Sequence, residues 1–228
     1  MTGSPYRLKA DPYSSHSVIL RFLPDGAGKR LLDVGAAEGY LAELLGRRGF
    51  EVTCLERDPG LAAVAAEKCR RVVTADLERE LPLLDGPFDV IVYGDVLEHL
   101  SDPARVLSSL NQSLKEDGIV IVSVPNVAHL WVRLQLLLGR FDYADRGILD
   151  RTHLRFFTRR SFLRFLGDSK LKVIEMIPTP VPLPLLVPER LHGRWLSALH
   201  ALNALTARCW QGLFAYQFVA VARREQTR

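Results

Sequence analysis

The sequence predicts an α/β fold, a mostly parallel sheet covered by helices on both faces. Three observations carry this. Short runs rich in Val, Ile and Leu recur through the first half of the chain, and helix-patterned segments alternate with them. The runs are predominantly apolar instead of alternating regularly with polar residues, as parallel strands without a solvent face require. The first run, residues 30–34, passes into a turn bearing Gly35 and Gly39 and then into a helix pattern with Leu41, Leu44 and Leu45 on one face. Such a strand–turn–helix leaves backbone N–H groups free for a polar or anionic ligand.

Each element follows in order. Residues 14–23 read as a helix ahead of the sheet, with a Ser cap, Val18, Ile19, Phe22 and Leu23 at helical spacing, and Pro24-Asp25-Gly26 as its stop. Strand 1 is 30–34 and carries Asp33. A helix over 39–48 closes at Gly49. Strand 2, residues 51–55, ends on Glu56. An Ala-rich helix covers 61–68, and strand 3, residues 72–75, ends on Asp76. Strand 4 is 88–93. A helix is expected over 95–110, with a break at Pro103. Strand 5 is 118–124, and residues 158–161 open a further helix with Phe162, Phe165 and Leu166 inward. Strands 6 and 7 are 171–177 and 217–222. Between them, Pro178, Pro180, Pro182, Pro184 and Pro188 hold 177–188 extended. Residues 189–214 then carry Leu191, Trp195, Leu199, Leu202, Leu205 and Trp210 largely at helical spacing.

At 228 residues the chain reads as one domain. Its subdivisions are an N-terminal helix segment (1–29), an insertion (126–160) and a Pro-rich linker with an amphipathic helix (178–214). Three cysteines without C-x-x-C spacing point to reduced thiols in a cytoplasmic protein, with no disulfide framework or zinc knuckle. No apolar leader or membrane-spanning run is visible. Charge is uneven. Residues 1–132 hold 14 basic and 19 acidic side chains, residues 133–228 hold 16 and 7. The basic back half suits an anionic partner such as a phosphate, a carboxylated glycan or an acidic membrane face, or else is a solvated surface.

The acids are the most informative residues. Asp33, Glu56 and Asp76 close three successive strands, where an α/β sheet places its ligand crevice. Glu56, about 20 residues beyond the Gly loop, is placed to accept hydrogen bonds from ribose hydroxyls. Asp76 is placed to meet the exocyclic amine of an adenine. A nucleotide-like cofactor is therefore expected, with a helix cap or a surface acid as the alternative for each residue alone. The middle glycine of G-x-G-x-x-G is missing, which argues against a nicotinamide-dependent dehydrogenase.

These motifs resemble those of class I S-adenosylmethionine-dependent methyltransferases, over about residues 13–125 and again near the C-terminus. LLDVGAAEG is similar to the family's first motif, with Ala37 where a glycine is usual. FDVIVYGDVLEHLSDP and LKEDGIVIVSVPN resemble its fourth motif and the segment through strand 5. The resemblance implies a Rossmann-like seven-stranded sheet with an antiparallel last strand at its edge, and S-adenosyl-L-methionine as cofactor. It places Asp33, Gly35, Ala36, Ala37 and Gly39 against the cofactor. Glu56 would hold the ribose beside Arg57, Asp76 and Leu77 the adenine edge, with Gly94 and Asp95 following strand 4.

Because the sulfonium already activates the methyl group, the protein must align an acceptor and take its proton. His99 and His153 are the candidate catalytic residues. On a helix, Asp95, Glu98 and His99 would share one face. With His153 they resemble the metal sites of ubiquinone-pathway O-methyltransferases and small-RNA 2′-O-methyltransferases. Mg²⁺ is compatible with that likeness but not favoured, since it prefers oxygen ligands. A metal-free histidine base is the leading expectation, and purely structural histidines the third.

Residues 136–158 resemble bacterial methyltransferases of polysaccharide, glycolipid and secondary-metabolite pathways. Phe141, Tyr143, Phe156 and Phe157 could stack on a ring there, and Arg140, Arg146, Arg151 and Arg155 bind an anion. The expected function is O-methylation of a sugar or glycan precursor or a small oxygenated metabolite. The alternatives are an RNA 2′-O-methyltransferase and a non-catalytic cofactor-binding partner subunit. Nucleic acid is not the expected partner, because no dense basic patch is present. A helical lid, a homodimer contact and peripheral contact with the inner face of a membrane are the functional readings of residues 189–214, where His192, Arg194, His200 and Arg208 form a basic side, and a helix packed on the domain's own face is the alternative.

Overall fold

The computed structural model describes residues 11–23 and 25–225. Pro24 and the start of the N-terminal segment, residues 1–10, lie outside them. Seven strands form one sheet: β1 (Arg30–Val34), β2 (Glu51–Glu56), β3 (Arg71–Thr74), β4 (Phe88–Gly94), β5 (Leu114–Pro125), β6 (Leu171–Thr179) and β7 (Gln217–Arg224), in the order β3-β2-β1-β4-β5-β7-β6. The first five pair in parallel, while β7 runs antiparallel to both β5 and β6.

The unbroken apolar runs have a direct cause in this layout. Alternate residues of each strand feed different cores. Leu32, Val34, Tyr93, Val122 and Phe218 belong to one, and Leu31, Val52, Val90, Ile121 and Val219 to the other. The fully buried Tyr93 donates its hydroxyl to Asn111 Oδ1 at 3.0 Å, so no polar atom is stranded there.

Helices pack both faces: α1 (Ser15–Phe22), α2 (Tyr40–Arg47), α3 (Pro59–Ala65), α4 (Pro103–Leu110), α5 (Leu130–Leu137) and α6 (Arg159–Asp168). Their starts follow capping chemistry. Ser14, Asp58 and Asp102 accept N–H groups of α1, α3 and α4, with Pro59 and Pro103 in the first turn. Thr158 and Ser161 form a reciprocal capping box on α6.

Four expectations change. First, strand 7 is not at the edge. β7 lies between β5 and β6, and its Phe218, Ala220 and Ala222 are fully buried. The edge falls to β6, whose Lys172, Ile174 and Glu175 are exposed, as an edge strand tolerates. Second, residues 95–110 are not one helix. A single 3₁₀ turn (Leu97–His99) precedes α4, and Asp95 is left-handed at φ 56°. Pro103 keeps Asp102 out of the helical region, so α4 cannot extend backward. Third, the Pro-rich linker is only partly extended, since β6 continues to Thr179 and a short helix α7 (Leu183–Leu186) follows. Fourth, α8 (Arg194–Cys209) buries Leu196, His200, Ala204 and Ala207, and turns Trp195, Leu199 and Leu202 outward. His200 therefore leaves the expected basic side. It is buried, with Nε2 3.0 Å from Asp11 Oδ1.

Phe218→Ala should lower unfolding stability by about 3–5 kcal/mol, through transfer and cavity costs together. Removal of the half-buried Phe165 ring should cost clearly less. Chemical denaturation of both variants measures this.

Candidate functional site

Because β3, β2, β1 and β4 are neighbours and parallel, their carboxyl ends form one rim. The turn after β1 is built from left-handed residues: Gly35 (φ 72°), Ala37 (φ 47°) and Gly39 (φ 72°). A Cβ on Gly35 would also stand 2.9 Å from Val96 Cγ2. Ala37 occupies a conformation that disfavours any side chain, at a cost of about 1–2 kcal/mol. The turn is held against β2. Leu55 O accepts Gly35 N–H at 2.8 Å and Ala36 N–H at 3.1 Å. Glu56 Oε2 accepts Ala37 N–H at 2.9 Å, while Oε1 accepts the Arg57 and Asp58 N–H groups at 2.9 and 3.0 Å. Three of the four lone-pair positions on this buried carboxylate are filled.

Asp33 lies behind the turn, buried, and its Oδ2 has no hydrogen-bond partner. Burial pushes its carboxyl up to about 7, with smaller contributions from Cys69 and Glu56. Asp76 follows β3, where Oδ1 accepts Glu78 N–H at 3.1 Å and Oδ2 pairs with Arg79 Nε at 3.4 Å. Leu77 is buried beside it, whereas the Arg57 side chain is exposed. Gly94 ends β4. The Asp95 side chain is gripped from three elements. Ser123 Oγ on β5 donates to Oδ1, Gln217 Nε2 on β7 donates to Oδ1 at 3.2 Å, and Ser15 Oγ on α1 donates to Oδ2 at 3.2 Å.

Next to this rim, Glu98, His99 and His153 each offer a ligand atom, all within 4.8 Å of one another. They meet because the insertion docks on the 3₁₀ turn, where Glu98 O accepts the Leu154 and Arg155 N–H groups at 2.8 and 3.0 Å. Arg155 Nε adds a bond to Ser101 O at 3.0 Å. His153 Nδ1 sits 3.1 Å from Ile148 O, so it carries the proton and Nε2 keeps its lone pair. His99 Nδ1 faces Thr152 O at 3.3 Å and Thr152 Oγ1 at 3.0 Å, and that hydroxyl donates to Asp150 Oδ1 at 2.7 Å. His99 is thereby held in the same tautomer.

Glu98 is 1% exposed, and its Oε2 is unpartnered. Burial, then the Asp95 charge, raises its pKa well above the usual carboxyl value. Burial lowers both imidazoles, and His153 depresses His99 further. Two neutral imidazoles and one carboxyl suit a borderline divalent ion such as Fe²⁺ or Zn²⁺. They do not suit Mg²⁺, which seeks oxygen ligands.

The expectation that Asp95 joins Glu98 and His99 on a helix face fails, because no α-helix exists there and Asp95 turns to Ser15, Ser123 and Gln217. Phe157 is buried in the core and unavailable for stacking. The other rings form a chain leading outward from the site. His99 to His153 is 4.8 Å, His153 to Phe156 6.4 Å, Phe156 to Phe141 5.8 Å and Phe141 to Tyr143 5.6 Å. Arg151 pairs with Asp145 at 2.6 Å, and Arg155 holds Ser101. Arg140 and Arg146 are exposed, with no ion pair among the described residues. Asp150 and Thr152, which orient His99, were not anticipated. The Asp-x-Thr-His spacing is their only trace in the sequence.

A sheet with its last strand inserted antiparallel beside the edge, and a glycine turn and acids along one rim, is the class I S-adenosylmethionine-dependent methyltransferase fold. Comparison with known proteins agrees. A family model described as a methyltransferase domain matches residues 7–176. The ubiquinone biosynthesis O-methyltransferase of Pseudomonas aeruginosa is 33% identical over 109 residues, 44% of this chain and 46% of that protein. That of Caulobacter sp. is 33% identical over 135 residues, 54% and 52% of the two chains. The chain thus spans about half the length of the curated relatives it matches. A methyltransferase structure from Archaeoglobus fulgidus superposes with a TM-score of 0.63 at 16% identity, covering 92% of each chain. One from Mesorhizobium loti gives 0.61 at 18% identity, covering 92% and 98%. The chain belongs to the methyltransferase-domain family.

Two outcomes follow from the turn. An Asp33 carboxyl raised in the folded state binds a proton that the unfolded chain has released. Its contribution is therefore intact below the ordinary Asp value and lost as pH rises toward 7. Asp33→Asn should gain about 2–4 kcal/mol over the parent at pH 8 and little near pH 4, read by denaturation at both pH values. Ala37→Gly should be neutral or stabilise by up to about 1 kcal/mol, since it relieves the left-handed strain.

Proposed function

We propose that the chain is an O-methyltransferase that binds S-adenosyl-L-methionine along the carboxyl rim. Its acceptor is a hydroxyl on a sugar or glycan precursor or on a small oxygenated metabolite. The observation that carries this reading is the meeting of a neutral, tautomer-fixed His153 with a glycine turn and a row of strand-end acids.

In this reading Asp33, Gly35, Ala36, Ala37 and Gly39 receive the methionine end, and the unpartnered Asp33 oxygen meets its cationic amine. Glu56 takes a ribose hydroxyl at its one open lone-pair position. A grip on both hydroxyls requires the Ala37 N–H to let go. Asp76 and Leu77 border the adenine, with Arg57 outside it and Gly94 and Asp95 beneath the reacting centre. The Phe156–Phe141–Tyr143 rings form a wall for the acceptor, and Arg140 and Arg146 attract an acidic group on it. His153 Nε2 takes the hydroxyl proton as the oxygen attacks the methyl group. Its lowered pKa keeps it a competent base below the usual histidine range.

The unpartnered oxygen of Glu98 favours a second reading of the same site. Glu98, His99 and His153 would hold a borderline divalent ion, which when bound would polarise the acceptor hydroxyl.

Isotope-labelled cofactor incubated with protein and cell extract should yield a labelled small molecule by mass spectrometry. Label confined to RNA would redirect the assignment, and no label at all would support a partner subunit. Glu56→Ala should weaken cofactor binding by about 2–3 kcal/mol, roughly a hundredfold, by calorimetry. His153→Ala should reduce kcat by about 10²–10⁴-fold while leaving cofactor affinity near the parent value. With a histidine base, kcat/KM should rise with pH through a value below 6.5 and then level off. Loss of turnover on chelation, restored better by Fe²⁺ or Zn²⁺ than by Mg²⁺, would establish the metal reading.

A further inference from the structure

All three tryptophans of the chain stand exposed, on two helical segments flanking one end of the sheet. Trp131 on α5 is 61% exposed, Trp195 on α8 54%, and Trp210 at the end of α8 63%. Leu134 and Leu137 continue the open surface of α5. Leu199 and Leu202 continue that of α8, at i+4 and i+7 from Trp195. The segments meet where Arg133 Nη2 donates to Gly212 O at 3.4 Å, within the short helix α9 (Gln211–Phe214). α5 and α9 adjoin the carboxyl rim, and α8 leads into α9 while packing on β6. α5 follows Pro125, the last residue of β5, and α9 precedes Gln217, which pairs with Pro125. Apolar exposure of this kind, repeated over two helices, marks an interaction surface.

The charges select the occupant. Residues 126–141 contain Arg133 and Arg140 and no acid, and residues 183–216 contain Arg190, Arg194 and Arg208 against Glu189 alone. All five arginines are exposed, Arg208 on the side of α8 that faces α1 and β6 and the other four free of that contact. Tryptophan and leucine beside arginine is the composition of a helix lying at a lipid headgroup boundary, where the indole suits the interface and the guanidinium meets phosphate. A second copy fits poorly, since a two-fold contact would set these arginines against themselves.

We propose that the α5 and α8 surface docks on an anionic lipid bilayer, with both helices in the headgroup plane and the carboxyl rim of the sheet beside the membrane. No helix among the described residues is long and apolar enough to cross a bilayer, so the contact is peripheral. The inference is independent of the reaction, because binding is read without cofactor or acceptor.

The test mixes the full chain with phosphatidylcholine vesicles, with and without about a third phosphatidylglycerol. Since every tryptophan lies on the proposed surface, intrinsic fluorescence reports on it directly. Expected are a blue shift and co-sedimentation with the anionic vesicles, at least about tenfold tighter than with phosphatidylcholine alone. Leu199→Gln with Leu202→Gln should weaken that binding about tenfold or more, with an unchanged circular dichroism spectrum because both side chains are exposed. Arg190→Gln with Arg194→Gln should reduce the preference for phosphatidylglycerol. The proposal is overturned by failure to bind either vesicle or by equal binding to both. It is also overturned by a dimer in sedimentation equilibrium that shields the tryptophans in place of lipid.

Discussion

The rim is held together by the Glu56 carboxylate. Its two oxygens accept N–H groups from the turn after β1 and the turn after β2. The sheet fixes the strands, but nothing in strand pairing fixes loops beyond the last ladder bond. A buried carboxylate with three donors does so through charge-assisted bonds, each stronger than a neutral one. The Leu55 carbonyl completes the clamp from the backbone side. Ala37 can stay left-handed because that clamp over-determines its position.

Four titratable groups beside the rim are driven toward neutrality. Burial drives the Asp33 and Glu98 carboxyls toward their neutral forms, and drives His99 and His153 the same way from the opposite side. Both acids also keep an oxygen without a partner. A cation arriving beside either one would lower its pKa and restore its charge where it is needed.

The elements of the first half were legible in the sequence because β1, β2 and β4 are covered on both faces, so local apolarity and tertiary burial agree there. The acids Asp33, Glu56 and Asp76 were legible because strand ends in a parallel sheet share one rim. What was not legible depends on contacts distant in the chain. Nothing near residue 217 says that β7 enters the sheet instead of bordering it. The spacing of Asp95, Glu98 and His99 suggested a helix face, but Pro103 and the left-handed Asp95 replaced it with a 3₁₀ turn. The approach of His153 depends on Leu154 and Arg155 binding the Glu98 carbonyl, a backbone contact with no compositional signature. On α8, the periodicity was correct, but which face packs on the domain was not written in it. The small residues Ala204 and Ala207 face the domain, and the large ones face out.

The position of β7 bears on how this chain matures during synthesis. Of the seven strands, β7 is synthesised after the other six, and it is the one that joins β6 to the other five and brings Gln217 to Asp95. Until then β5 has a bare flank, β6 has no partner, and the floor of the rim is missing one of its three supports. A nascent chain can collapse its first five strands early, but the sheet and the rim are complete only once β7 has been made. Chains interrupted upstream of it would expose two unsatisfied strand edges and be ready substrates for chaperones and proteases.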